Sequence, residues 1–372
     1  MRFGFLSTYP PTRCGLATFT RSLAVALADH RTGPAAVVRV LDPTEAPAPA
    51  AEPEVRIAAV LRAGDERSQR AAARALNRCD AVIVQHEYGI YGGADGDEVL
   101  RVLEALRIPV ITVLHTVLHQ PTPGQKRVLE RVVDLTTAAV VMTERAHDTL
   151  HARFLIDGAK IHVIPHGAAL PPRQSLHRRG TAPTILTWGL IAPGKGIERG
   201  IAAVAALRER GVEATYVVAG QTHPKVLAHD GEAYRDSLVA LARRLGVEGS
   251  VRFVNRYLAT EDLAGLLSAA DAVLLPYDSL EQATSGVLVE ALAAGVPVVA
   301  TAFPHAVEML TGAAGVTVPH DDAHAMALGL ERMLQRGEDS RAARRHGSGL
   351  SWPEVADRYL DLAERLRAEQ AA

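Results

Sequence analysis

The chain has 372 residues, 48% of them hydrophobic and 22% charged, with a net charge of −2 and two cysteines. That length exceeds one ordinary domain and suggests two. The composition fits a globular fold, the near-neutral charge gives no reason to expect nucleic acid, and Cys14 and Cys79 lack the spacing of a zinc site or a disulfide framework.

A reducing cytoplasm is the expected location. The apolar run 1–7 is too short for a signal peptide, and no run reaches the roughly 20 apolar residues of a membrane span. Peripheral membrane contact stays open.

Short β-rich runs alternate with amphipathic helical stretches throughout, the pattern of α/β architecture with parallel sheets. In the first half, strands are expected over 3–6, 36–40, 81–85, 110–114, 138–142 and 161–164. Helices are expected over 16–28, 66–78, 97–106 and 124–135, and 43–53 reads as a loose surface loop. After the first strand, Ser7-Thr8-Tyr9-Pro10-Pro11-Thr12-Arg13-Cys14-Gly15 leads into a helix. Gly15 would let backbone approach a ligand, and the helix start favours phosphate; a plain strand-to-helix turn reads as well. No GxGxxG fingerprint is present there, which disfavours a dinucleotide. After the third strand, Gln85-His86-Glu87-Tyr88-Gly89-Ile90-Tyr91-Gly92-Gly93 suits a sugar-binding loop. Asp95 and Asp97 beyond it make a weak metal motif, and Asp97 equally caps the next helix. His115-Thr116 closes the strand 110–114, with His119 one turn on; His115 would hydrogen-bond a sugar hydroxyl or only its neighbours.

Residues 171–180 are polar and turn-rich and read as a linker. A second alternation follows, with strands over 184–188, 215–219, 251–254, 272–275 and 296–300. Helices are expected over 197–210, 234–245, 260–269, 286–294 and 352–369. Between the first strand and helix, Gly189-Leu190-Ile191-Ala192-Pro193-Gly194-Lys195-Gly196 carries one of only four lysines in the chain. A Lys between glycines at a helix start suits a diphosphate, although the spacing is not that of a Walker loop. Gly220 and His223 follow the strand 215–219, where an ordinary loop reads equally well. The stretch from Gln282 to Thr301 is a small-residue turn, an apolar helix, a glycine stop and a buried strand. Thr284, Ser285 and Gly286 would place free N–H groups at the helix start, where an anion binds, and Glu290 lies one turn inside. Two Rossmann-like halves joined by a linker imply a cleft, with ligands beyond the C-terminal strand ends.

Taken together, the Tyr9-Pro10-Pro11 to Gly15 loop, Ile164-Pro165-His166-Gly167, Gly189 to Gly196, Ala270 to Pro276 and Glu290 to Val299 resemble glycosyltransferase family 4, over nearly the whole chain. These are retaining, nucleotide-sugar-dependent enzymes of the GT-B fold. The resemblance implies two Rossmann-like domains facing each other across a cleft. Residues 1–172 would bind the acceptor and 183–350 the nucleotide-sugar donor, with a helix over 351–372 returning to the first domain. It implies a hexosyltransferase in which Lys195 neutralises the donor diphosphate, aided by the amides of Ser285, Gly286 and Val287. Glu290 would hold the ribose, Gly15 would lie by the diphosphate, His115 by the transferred sugar, and residues 255–258, Arg256 among them, by the base. Gly189, Gly220, Gln282 and Thr284 complete the donor site. No metal and no cofactor beyond the donor substrate is implied; the acceptor would be a small molecule, a glycan or a lipid-linked acceptor.

The chain departs from the family pattern at three points. Gln282 stands where a first carboxylate precedes Glu290, and an amide cannot carry its charge. Leu190 stands where an Arg often follows the glycine, with Arg256 or Arg13 as substitutes. Pro304-His305-Ala306 replaces a Gly-rich turn. A non-catalytic nucleotide-sugar-binding module and a nucleotide-sugar epimerase are the alternatives.

Overall fold

The computed structural model describes residues 1–29, 33–42, 45–169, 182–311, 314–335 and 347–371. The proposed linker 171–180 lies outside them. The chain divides into two compact units, Met1–Gly167 with Trp352–Ala372, and Ala168–Ser351.

The first unit holds seven parallel strands: β1 (Phe3–Ser7), β2 (Ala35–Leu41), β3 (Val55–Arg62), β4 (Ala81–His86), β5 (Val110–Leu114), β6 (Ala138–Val141) and β7 (Ile161–Val163), in the order β3-β2-β1-β4-β5-β6-β7. Most are buried on both sides, which explains their continuous apolar runs. On one side Phe5, Ile83, Ile111 and Val113 pack against helix Gly15–Asp29 and helix Trp352–Ala371, through Leu23, Leu27, Val355, Tyr359 and Leu362. On the other, Leu6, Val38, Val82 and Val84 pack against helices Glu66–Leu76, Val99–Glu104 and Pro123–Leu135.

The second unit repeats the scheme with six parallel strands: β8 (Thr184–Trp188), β9 (Thr215–Ala219), β10 (Val251–Val254), β11 (Ala272–Leu275), β12 (Val298–Thr301) and β13 (Gly315–Val318), in the order β10-β9-β8-β11-β12-β13. In each sheet the strand order reverses beside the first strand, between β1 and β4 and between β8 and β11. That crevice is where an open parallel sheet takes its ligand.

Several elements differ from expectation. Strand β3 escapes the sequence pattern because Ala58-Ala59 interrupts its apolar run, and its pairing with β2 shifts register between Val37 and Val38. Strand β12 starts at Val298, not 296, because Val296 N–H closes the preceding helix on Ala291 O at 3.0 Å, after Gly295 at φ 75°. Strand β13 and helices Glu144–Arg153, Pro224–Asp230, Pro304–Met309 and Ala323–Gln335 were not anticipated. Asp97 does not cap the following helix; Glu98 holds that position, without a side-chain bond. The described part of the loop 43–53 is tied down, since Glu52 accepts from Tyr9 Oη at 2.8 Å and from Arg21.

Candidate functional site

In the second unit, β8 runs into Gly189 and β11 into Pro276, and the two loops meet. Asp278 N–H donates to Gly194 O at 3.1 Å, and Gly196, at φ 63°, caps helix Ile197–Glu209. A Cβ at Gly196 would lie 1.7 Å from Pro276 O, so only glycine fits. This contact aims Lys195 across β11: its Nζ sits 4.5 Å from the centroid of the Tyr277 ring, within cation–π range. Burial lowers the Lys195 pKa, and no carboxylate pairs with it among the described residues. Lys195 is thus a half-buried cation held by an aromatic face.

Tyr277 is buried and stacks on Phe303, with ring centroids 5.4 Å apart. Burial raises its phenol pKa, and Ser285 lies close enough to act against that rise. Ser285 starts helix Gly286–Ala294: its Oγ accepts from Leu288 N–H at 3.3 Å, and its own N–H donates to His305 Nδ1 at 2.8 Å. The Ser285 amide is therefore already engaged, while Gly286 and Val287 follow it as the first residues of the helix. Gln282 donates to Thr284 O at 3.3 Å, so its amide braces the turn. His305, in the Pro304-His305-Ala306 segment, thereby supports the helix start.

Glu290 accepts from Trp188 Nε1–H at 3.2 Å. Burial pushes its carboxyl up to about 7, against the lowering effect of Trp188. A single neutral donor does not offset the desolvation of a carboxylate, so a ligand offering further donors would be welcomed. Gly220, at φ 144°, is required by its neighbour: a Cβ there would lie 1.8 Å from Gly189 O. Arg235 Nη2 donates to Gly220 O at 2.8 Å and fixes this stack. His223 caps helix Pro224–Asp230, accepting from Lys225 N–H at 3.2 Å. Arg256 is exposed and pairs with Asp262 at 2.9 Å.

In the first unit, Gly15 begins helix Gly15–Asp29, and a Cβ there would meet nothing within 4 Å. His115, just past β5, has its Nε2 hydrogen-bonded to Gln85 Oε1 at 2.6 Å. Its ring makes an edge contact with Phe19, as do His166 and Trp352, at 4.9–5.0 Å. Burial pushes His115 down to about 3, and His86 and His166 to about 4. All three are neutral at pH 7. His119 turns away to Arg153, at 2.7 Å. Asp95, at φ 56°, packs against Gly124; among the described residues no group of three or more His, Cys, Asp or Glu could hold a metal. No helix among them is long and apolar enough to cross a membrane.

The structure thus joins Lys195, Ser285 and the start of helix Gly286–Ala294 through one side chain that sequence reasoning missed. Tyr277, Trp188 and Phe303 follow or end strands, where aromatic residues read as core. The available signal was position: Trp188 and Tyr277 lie beside the two loops that flank the strand-order reversal.

The pattern of Glycosyltransferase Family 4 matches residues 14–170, and that of Glycosyl transferases group 1 matches residues 172–348. The chain is 30% identical over 300 residues to a D-inositol 3-phosphate glycosyltransferase of Jonesia denitrificans, covering 70% of this chain and 67% of that one. It is 33% identical over 249 residues to the protein of the same name from Actinosynnema mirum, covering 62% of this chain and 58% of that one. The match to the Salinispora arenicola protein spans 39% of its length. Among solved structures, sucrose-phosphate synthase from Thermosynechococcus elongatus superposes with a TM-score of 0.74 at 18% identity, over 99% of this chain and 100% of that one. Anabaena Alr3699/HepE, solved in complex with UDP and glucose, gives 0.71 at 17% identity, over 98% and 100%. At these identities the structures speak for the fold, which is GT-B.

Proposed function

Because the chain belongs to the glycosyltransferases of group 1 and family 4, we propose that it is a retaining hexosyltransferase that takes its sugar from a nucleoside diphosphate sugar. The observation that carries this reading is the Tyr277 hub. One buried ring holds on its face an ammonium that pairs with no carboxylate among the described residues, and has Ser285, the cap of an α-helix, beside its hydroxyl. A cation and a helix N-terminus converging on one point suit a diphosphate.

In this reading the donor diphosphate lies between Lys195 and the amides of Gly286 and Val287, with Gly189 giving it room. As the bond from the anomeric carbon to the diphosphate oxygen lengthens, negative charge grows on the diphosphate. Lys195 and the helix dipole stabilise that charge most in the transition state, which is the condition for catalysis. The sugar passes through an oxocarbenium-like state, and the acceptor hydroxyl attacks from the face the diphosphate leaves. That hydroxyl's proton goes to the departing diphosphate oxygen. Glu290, welcoming donors beside Trp188, holds the ribose hydroxyls. His115, kept neutral and pinned by Gln85, offers a hydrogen bond to the transferred sugar. Neither a metal ion nor a further cofactor takes part.

Replacing Lys195 with Ala tests the scheme. Loss of one such contact should lower kcat by about 10²–10³-fold, while the melting point without ligand stays unchanged. The assay uses the nucleotide sugar that most raises the melting temperature in a screen of UDP-, GDP- and ADP-sugars. Full turnover by the variant would show that the diphosphate is neutralised elsewhere.

A further inference from the structure

Glu87 is the first residue after β4, at the C-terminal edge of the first unit's sheet. Its carboxylate reaches across to the loop after β5, where Thr116 Oγ1–H donates to Oε2, and Tyr88 N–H donates to Oε1 at 3.1 Å. The main chain on either side is fixed to the same place, because His115 N–H donates to His86 O at 3.1 Å. Glu87 and Thr116 therefore form a clasp beside His115. We propose that this clasp binds acceptor hydroxyls, and that the acceptor is an uncharged polyol or sugar rather than a phosphorylated one. The inference rests on the transferase reading above, which puts His115 beside the transferred sugar.

Charge supports the choice. The groups that act on Glu87 are its own burial, Thr116 and Tyr88, with no cation among them. Burial raises its pKa, the mark of a carboxyl short of compensation. His86 and His115, the chain neighbours of Glu87 and Thr116, carry no charge at neutral pH. Of the three cations on helix Pro123–Leu135, Lys126 pairs with Glu130 and Arg131 with Glu104 and Asp134, and Arg127 is exposed. A phosphate seated on the clasp itself would meet a carboxylate that pairs with no cation among the described residues, and like charges in a desolvated setting repel. A hydroxyl donates to the same carboxylate. Neutral hydrogen-bonding atoms with no partner crowd the same strand end: Gln85 Nε2, both ring nitrogens of His86 and Tyr88 Oη. They can serve a hydroxyl-rich molecule or the water that stands in for it. The curated relatives bear the name of a phosphorylated acceptor, so the inference separates this chain from them.

Matched acceptor pairs test it: myo-inositol with D-inositol 3-phosphate, glucose with glucose 6-phosphate, and glycerol with glycerol 3-phosphate. The donor is the nucleotide sugar that stabilises the protein most. The neutral member of at least one pair should accept the sugar, at least about tenfold faster than its phosphorylated partner. Glu87→Gln should raise the acceptor KM about tenfold, the cost of one charge-assisted hydrogen bond, and narrow that preference. Donor KM and the donor-induced melting shift should stay as in the wild type, which a merely structural role would not ensure. Equal or faster transfer to a phosphorylated member overturns the inference, as does an unchanged acceptor KM in Glu87→Gln. So does failure of every neutral acceptor with a donor that demonstrably binds. If no nucleotide sugar stabilises the protein at all, the transferase reading itself fails and takes the inference with it.

Discussion

Glu290 is a carboxyl whose environment makes it an indicator of its own role. Folded, it titrates at about 7, well above the ordinary 4.5. Between those values the folded protein keeps a proton that the unfolded chain releases, so stability without ligand should fall as pH rises through that window. Glu290→Gln cannot ionise and should flatten this fall; melting curves between about pH 5 and about pH 8 would read it. An unchanged slope in the variant would assign the proton to another group. If Glu290 holds the ribose as proposed, donor affinity in the wild type should rise over the same interval, because the ionised carboxylate is the better acceptor for hydroxyls. Lys195, Ser285 and Glu290 were legible in the sequence because each has a local mark: a scarce Lys between glycines, a small-residue helix cap, and a charge in an otherwise apolar helix. Tyr277 and Trp188 were not, since their roles depend on two loops meeting after different strands, and nothing local encodes that approach.

At the scale of elements, two backbone stacks shape the candidate site of the second unit: Gly196 on Pro276 and Gly220 on Gly189. Both glycines lie at positive φ with a carbonyl where a Cβ would go. Gly220→Ala should therefore cost about 1–3 kcal/mol from strain alone, and should weaken donor binding by displacing the loop that carries Lys195. Gly15→Ala is the contrast, since its Cβ would enter open space, and stability should move by no more than about 0.5 kcal/mol. Urea midpoints of the two variants check this, and equal values would deny the stack any weight. The parallel strands themselves were readable because burial on both faces leaves continuous apolar runs. Two of the misses have local causes: alanines and a register shift in β3, and a helix stop that uses Val296 before β12 can begin.

Across the whole molecule, the two sheets share one plan, and the repetition of strand, loop and helix made the architecture legible from end to end. One connection breaks the symmetry. Helix Trp352–Ala371 belongs to the first unit, burying Val355, Tyr359, Leu362 and Leu366, and Trp352 lies over Gly167, where a Cβ would meet its ring at 2.3 Å. At about 1.5–3 kcal/mol for each large side chain, this contribution rivals the ~5–15 kcal/mol that holds a domain together. A chain stopped after Ser351 should lose the cooperative unfolding of the first unit in calorimetry and keep that of the second; two intact transitions would contradict this.

That helix also sets an order of assembly. On the ribosome, residues 168–351 emerge as one continuous stretch and can close their own sheet while synthesis continues. The first unit waits with Phe19 and His166 uncovered until Trp352 and the helix behind it leave the exit tunnel. The half of the protein made first is thus the half completed last.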